Sequence, residues 1–138
     1  RPAQSGRREK AAIRHEQLTM PFSKLLADLV DSVAGASGAI FLDGECEYVQ
    51  YYGHLDSFRT KLLGAYQGIL LQHMRGIVSR LRVSGLDKIV TGYEGATFIT
   101  KNLKDNYYVV LVLDPSANIG QGIHEIDRVA AIINAEIA

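Results

Sequence analysis

The chain has 138 residues, of which 47% are hydrophobic and 22% charged, and its fifteen Lys and Arg balance its fifteen Asp and Glu. This size and composition suit one globular domain whose core needs no disulfide or metal. The single cysteine, Cys46, excludes an internal disulfide framework and a Cys-rich zinc site. Apolar stretches are far shorter than the ~18 residues that span a bilayer, and the neutral charge argues against a dedicated nucleic-acid binder. We expect a soluble cytoplasmic protein without a signal peptide.

Residues 1–18 differ in composition from the rest of the chain. Apolar residues are sparse there, and cations outnumber glutamates: Arg1, Arg7, Arg8, Lys10 and Arg14. This pattern predicts a mobile basic tail that precedes one domain over 19–138. The tail is either a solvated extension or an electrostatic tether to an acidic partner or membrane surface, and termini in general favour the extension.

The first predicted elements are a helix and a hairpin. Apolar residues at helical spacing predict a helix that begins at Thr19, where the hydroxyl caps the first turn. A short apolar run over 39–42 predicts a buried strand, and Asp43-Gly44 predicts a tight turn. The return strand ends at Gly53.

A long helix, three strands and a last helix are predicted next. The helix occupies 56–83, the longest periodic stretch of the chain. The strands follow, over 86–93, 96–100 and 107–113. Asp105-Asn106 predicts the turn before the last strand, because both residues tolerate a positive φ, and Ser116 or Asn118 caps the last helix. The order of elements predicts an α+β fold with a five-stranded, mainly antiparallel sheet sandwiched by helices.

The long helix is predicted to have two distinct faces. One broad apolar face is expected to lie on the sheet, with Phe58, Leu62, Leu63, Tyr66, Ile69, Leu70, Met74, Ile77 and Leu81. The opposite face carries Lys61, Gly64, Gly68, Leu71, Arg75, Val78, Ser79 and Arg82. Glycine inside a helix costs about 1 kcal/mol relative to alanine, so two glycines four residues apart indicate the close approach of another backbone. We expect this glycine face to contact a second subunit; the alternative is an ordinary surface with scattered apolar residues.

The sequence lacks the motifs that are typical of catalysis and of metal or cofactor binding. No serine lies in a nucleophile elbow, and the four histidines lack the spacing of a helical metal site. Asp43, Glu45 and Glu47 lack the spacing of a calcium loop and are interpreted as a charged hairpin edge. The segment 114–122 precedes a helix but lacks the end of a phosphate-binding loop. We therefore expect no catalytic, cofactor-binding or metal-binding residues, and no enzyme.

Two stretches resemble a known family. They are Gly38-Ala39-Ile40-Phe41-Leu42-Asp43-Gly44-Glu45 and Leu111-Val112-Leu113-Asp114-Pro115-Ser116-Ala117-Asn118-Ile119-Gly120. In this order they resemble the Roadblock/dynein light chain family, particularly its bacterial MglB-like branch, over roughly 20–138. The resemblance implies a five-stranded antiparallel sheet with the first and last helices on one face and the long helix on the other.

The resemblance also implies partners. Members of the family pair their middle helices and the edge strands that follow, which here places Lys88 and Val90 at the interface beside the glycine face. They bind Ras-like small GTPases as regulators or scaffolds. We therefore expect a homodimer, or a heterodimer with a paralogue, that biases the nucleotide cycle of such a GTPase by contact, and an arginine finger from Arg75 or Arg82 is the less favoured mechanism. The alternative is a small-molecule sensory or adaptor domain of similar fold.

Overall fold

The structure, a computed structural model, describes residues 22–137. The predicted tail over 1–18 and the predicted cap Thr19 lie outside these residues. The elements are α1 (described over 22–31), β1 (Ala36–Leu42), β2 (Tyr48–Gly53), α2 (Ser57–Leu81), β3 (Lys88–Gly92), β4 (Thr97–Asn102), a short 3-10 helix (Lys104–Asn106), β5 (Tyr108–Leu113) and α3 (Ile119–Glu136).

The five strands form one antiparallel sheet in the order β2-β1-β5-β4-β3. β5 lies at its centre, and all six of its residues are buried because it has a neighbouring strand on each side and helices on both faces. β2 and β3 form the two edges. The predicted five-stranded antiparallel sheet is therefore confirmed.

Helices cover both faces of the sheet, as predicted. The larger core lies on the side of α1 and α3, where Phe22, Leu26 and Leu29 pack with Ile126 and Ile133. The smaller core lies under α2 and consists of Ile40, Leu42, Leu71, Tyr108 and Val110.

Local signals for turns and caps are largely confirmed. Asp105 and Asn106 have φ values of 55° and 63°, a conformation that Asp and Asn tolerate better than most residues. The side chain of Asn118 accepts a hydrogen bond from Gln121 N and caps α3. Asp56 caps α2 in the same way through Arg59 N.

The first hairpin has a longer connection than the predicted Asp43-Gly44 turn. One carboxylate oxygen of Asp43 accepts hydrogen bonds from Glu45 N at 2.9 Å and from Glu47 N at 3.0 Å. This folds 43–47 into a loop, with Cys46 at a φ of 64°, so β2 begins only at Tyr48.

The orientation predicted for α2 is wrong. The residues of α2 that are buried are Thr60, Gly64, Gln67, Gly68 and Leu71, so the glycine face lies on the sheet of the same chain. The broad apolar face points away from the sheet, with Phe58 71% and Tyr66 62% exposed. A close approach at the glycines is present, but side chains of β1, β5 and the 43–47 loop of the same chain make it, where the backbone of a second subunit was expected.

Candidate protein-interaction surface

Two glycines let α2 lie close to the sheet. A β-carbon on Gly64 would lie 2.9 Å from Leu42 Cδ2, and one on Gly68 would lie 2.1 Å from Tyr108 Oη. The Tyr108 hydroxyl donates a hydrogen bond to Gly64 O at 3.0 Å. Burial raises the pKa of this phenol, so it remains a neutral donor. The side of α2 with small residues is therefore fully used inside the domain.

Polar side chains attach α2 to β4. Thr100 Oγ1 donates a hydrogen bond to Gln67 Oε1 at 3.1 Å, and both residues are buried. Arg75 donates to Asn102 Oδ1, and Asn102 Nδ2 donates to Leu86 O at 3.0 Å. Burial lowers the pKa of Arg75. Through Asn102, Arg75 links α2 to the segment between α2 and β3, so its side chain is engaged within the domain.

The outward side of α2 divides into two surfaces. At about 100° per residue, some side chains lie roughly opposite the buried ones, and we call them the outward ridge: Phe58, Leu62, Tyr66, Ile69, His73 and Arg80. Others lie on the side nearer β3, and we call them the β3 flank: Leu63, Leu70, Met74, Ile77 and Leu81. Leu63 packs with Ile89 and Phe98 against the smaller core, which fixes the direction of this flank.

An apolar groove lies between α2 and the β3–β4 hairpin. Its volume is about 400 Å³, and it is lined by Arg59, Leu62, Leu63, Tyr66, Gln67, Tyr93 and Phe98. The rings of Tyr93 and Phe98 lie 5.0 Å apart at one wall. Tyr66 and Tyr93 are each more than half exposed, so the groove opens to the surface.

The outer edge of β3 has free backbone groups. Asn102 N donates to Asp87 O at 2.9 Å, and Tyr93 N donates to Ala96 O at 2.8 Å. Since antiparallel pairing alternates along a strand, the N–H and C=O groups of Lys88, Val90 and Gly92 face away from β4. Within residues 22–137 no strand pairs with this edge.

The other edge strand, β2, is partly closed. Tyr51 of β2, which pairs with Ile40 of β1, directs its N–H away from the sheet. The side-chain oxygen Oε1 of Gln50 accepts a hydrogen bond from this N–H at 3.1 Å. A register shift between Phe41 and Leu42 also interrupts the ladder beside it. Edges protected in this way pair poorly with another chain, so β3 is the edge suited to pairing.

The remaining predicted site residues are dispersed. Val90 is 42% exposed at the β3 edge, and the Lys88 side chain turns toward α3, where it pairs with Asp127 at 3.3 Å. Lys61 lies on the β2 side, with Nζ 4.1 Å from the centre of the Tyr48 ring. Arg82 caps the C-terminus of α2 in a left-handed conformation and is exposed.

Gly64, Gly68 and Leu71 do not take part in any exposed surface. Leu71 is fully buried, and both glycines are buried. Val78 is half-buried. The predicted set thus contributes Val90 and the backbone of Lys88 to the surface formed by α2 and β3.

The residues that sequence reasoning missed are the exposed ones of the outward ridge and the β3 flank, with Tyr93 and Phe98 of the groove. A signal was present. Apolar residues cover more than half of the circumference of α2, so a single sheet could not bury all of them. The glycines marked the only side of the helix that can come close to a strand, and the apolar residues on the other side are therefore exposed.

No group of three or more His, Cys, Asp or Glu residues within the described part of the chain could hold a metal ion. No helix within it is both long and apolar enough to cross a bilayer.

The fold is that of Roadblock/LC7 domains. No family model and no curated protein matches the chain. The structure of a Roadblock/LC7 domain from Streptomyces avermitilis is similar at a TM-score of 0.77 and 14% identity, over 83% of this chain and 96% of that one. The resemblance predicted from the sequence is therefore confirmed for the fold.

Two structures of MglB are also similar. Myxococcus xanthus MglB has a TM-score of 0.77 and 11% identity, over 85% of this chain and 87% of that one. The gliding protein MglB from Thermus thermophilus has a TM-score of 0.74 and 14% identity, over 86% of this chain and 87% of that one. These identities are low, so the likeness is one of architecture.

Proposed function

We propose that this protein is a dimeric regulator or scaffold that binds a Ras-like small GTPase and biases its nucleotide cycle by contact. The observation that carries the proposal is the continuous surface formed by the apolar outward side of α2 and the open edge of β3. The architectural likeness to MglB and the sequence resemblance support it. A cytoplasmic location belongs to the same proposal.

The dimer forms through β3 and the β3 flank of each α2. Two β3 strands pair antiparallel across a twofold axis near Val90, which joins the two sheets into one. The β3 flanks then meet beside this seam, where Leu81, 67% exposed in a single chain, becomes buried. A twofold axis requires a self-complementary surface, and an apolar flank next to an open edge satisfies this requirement. The same surface serves a heterodimer with a paralogue.

The regulator acts on its partner without supplying a catalytic group. Arg75 is held by Asn102, so it is unsuited to reach a bound nucleotide. When the regulator binds one conformation of the GTPase more tightly than the other, it shifts the equilibrium between the two conformations. The size of the shift is set by the difference between the two binding free energies.

Light scattering and nucleotide-dependent binding test the proposal. The full chain should elute as a dimer, and it should bind a Ras-like GTPase of the same genome with an affinity that differs between its GTP-analogue and GDP forms. Leu81→Asp should produce a folded monomer, because a carboxylate would be buried in the seam. Lys24→Glu, an exposed position on α1, is the matched control. A wild-type monomer that binds no such GTPase would refute the proposal.

A sensory domain for a small molecule is the second candidate, and the apolar groove is the observation that favours it. Such a ligand would fill the groove and raise the free energy of unfolding by RT ln(1 + [L]/Kd), which raises the melting temperature. Thermal shift with a panel of small apolar ligands separates the two functions, because the dimer interface would cover the groove without any ligand.

A further inference from the structure

We infer that the apolar groove between α2 and the β3–β4 hairpin binds a small apolar carboxylate, and that this ligand opposes dimerisation of the chain. The carboxylate site stands on the groove alone, whereas its effect on dimerisation rests on the proposed function. Three features support the site: the size of the groove, the two polar side chains in its lining and its position beside the open edge of β3.

The groove has the size and the lining of a small-molecule site. Its volume of about 400 Å³ lies within the roughly 300–1,000 Å³ that is usual for ligand pockets, which are lined mainly by apolar and aromatic side chains. Leu62 and Leu63 line it on the side of α2. The rings of Tyr93 and Phe98, 5.0 Å apart, line it on the side of the hairpin. Most of an occupant must therefore be apolar.

Two polar side chains in the lining define the rest of an occupant. Gln67 is 4% exposed, and its Oε1 accepts the hydrogen bond from Thr100, so its amide nitrogen is the atom that can donate to an occupant. Arg59 is exposed and forms no ion pair with a carboxylate of residues 22–137. A neutral donor and a guanidinium together suit one negatively charged group that accepts hydrogen bonds, and a carboxylate is such a group.

The charge around the groove favours an anion over a cation. The segment from 57 to 86 contains no Asp or Glu, yet it carries Arg59, Lys61, Arg75, Arg80 and Arg82. Among the described residues that line the groove, Arg59 is the only charged one. The potential at the groove is therefore positive, so an anionic group is attracted there and a cationic group is repelled.

The position of the groove links its occupant to assembly. Leu63 belongs both to the lining of the groove and to the β3 flank, and Tyr93 follows Gly92, the last residue of β3. In the proposed dimer a second subunit lies against this flank and this edge, so the subunit and a ligand compete for the same apolar side chains. A ligand that binds only the single chain lowers the amount of dimer by mass action.

Octanoate and octanol are the probes for the site, because they share an apolar chain and differ in charge. Calorimetric titration compares wild type with Arg59→Gln and with the control Arg80→Gln, which removes an exposed cation of α2 about 30 Å away along the helix. We expect Arg59→Gln to bind octanoate about fivefold more weakly than wild type and the control to bind it within twofold of wild type. Octanol should bind these three proteins equally. Melting temperatures confirm that the variants remain folded.

Light scattering measures the effect on assembly. Rising octanoate should convert the wild-type dimer to monomer. Leu81→Asp, the variant expected to be a folded monomer, should bind octanoate at least twofold more tightly than wild type at the same protein concentration, because no second subunit covers its groove.

The outcomes separate the carboxylate site from the proposed function. If the Leu81→Asp monomer binds no octanoate, or if Arg59→Gln binds it as tightly as wild type, the site is overturned and the dimeric regulator stands. Octanoate bound by a dimer that stays intact overturns the competition with the second subunit. A wild-type monomer that binds no Ras-like GTPase overturns the proposed function, while octanoate binding that depends on Arg59 would still support the site.

Discussion

Glycines at different positions of α2 have opposite roles. Gly68 lies against Tyr108 and Cys46, where a β-carbon would be 2.1 Å from the tyrosine oxygen and 2.6 Å from the thiol sulfur. Around Gly76, no described heavy atom beyond the adjoining residues and the backbone of the helix itself lies within 4 Å of the equivalent point. The same substitution therefore gives different results at the two sites.

We expect Gly68→Ala to destabilise the domain by about 1–3 kcal/mol, because the added methyl displaces Tyr108 from its hydrogen bond to Gly64. Gly76→Ala, the matched control, should stabilise it by up to about 1 kcal/mol through helix propensity alone. Urea denaturation at one protein concentration measures both. Equal effects of the two substitutions would contradict the close contact between α2 and the sheet.

Asp87 gives the domain a stability that depends on pH. Hydrogen bonds from Lys101 and Lys88 hold its carboxyl pKa below the usual 3.8. A carboxylate whose pKa is lower in the folded state stabilises the protein above the unfolded-state pKa, and this contribution disappears as the pH falls through the folded-state pKa.

Asp87→Asn should therefore lower the free energy of unfolding by about 0.5 kcal/mol at pH 7, since the side chain is largely exposed and screened. The difference between variant and wild type should shrink as the pH falls below about 4. Urea titrations at several pH values measure it. A difference that stays constant down to pH 2 would show that the carboxylate acts through packing instead of charge.

At the scale of elements, the sequence predicted the type and order of the described helices and strands because each has a local signal. Asp105 and Asn106 marked a turn through their tolerance of positive φ, and the run ending at Leu113 marked the central strand through its continuous hydrophobicity. These signals come from the chain itself and need no knowledge of which surface lies opposite.

The orientation of α2 could not be predicted in the same way. Apolar periodicity favours burying Phe58 and Tyr66, whereas Gly64 and Gly68 give the only side on which the backbone can approach β1 and β5. Close packing determined the orientation of α2 more than the number of apolar residues on each face, because large side chains between the helix and the sheet would have kept the two apart. The prediction of an interface on α2 remains a proposal, now on the opposite face from the one first expected.

The β3 edge should determine assembly. Val90→Pro removes an N–H that faces away from β4, so the strand keeps its internal ladder and loses a hydrogen bond to the partner strand. We expect the dimer to dissociate at concentrations at least tenfold higher than for wild type. Val90→Ala, the control, keeps the N–H and should dissociate near the wild-type concentration. Analytical ultracentrifugation over a dilution series provides the measurement, and unchanged dissociation of the proline variant would place the seam elsewhere.

At the scale of the whole molecule, folding and assembly should be linked. A dimer that exposes Leu81 and the β3 edge on dissociation is stabilised by mass action. A hundredfold increase in protein concentration should raise the melting temperature by about 5 °C for a dimer of two such chains. Calorimetry over this range measures the shift, and the Leu81→Asp variant should show none. A wild-type melting temperature independent of concentration would contradict a reversible dimer.

The small residues on the buried side of α2 also affect which parts of such a domain can change in sequence. The core beneath the helix depends on Gly64, Gly68 and Leu71, while Phe58, Tyr66 and Arg80 are exposed and lie outside both cores. Mutations on the ridge should therefore change the binding surface with little penalty to folding. For protein engineering, the ridge is a surface on which a randomised library should retain the native fold.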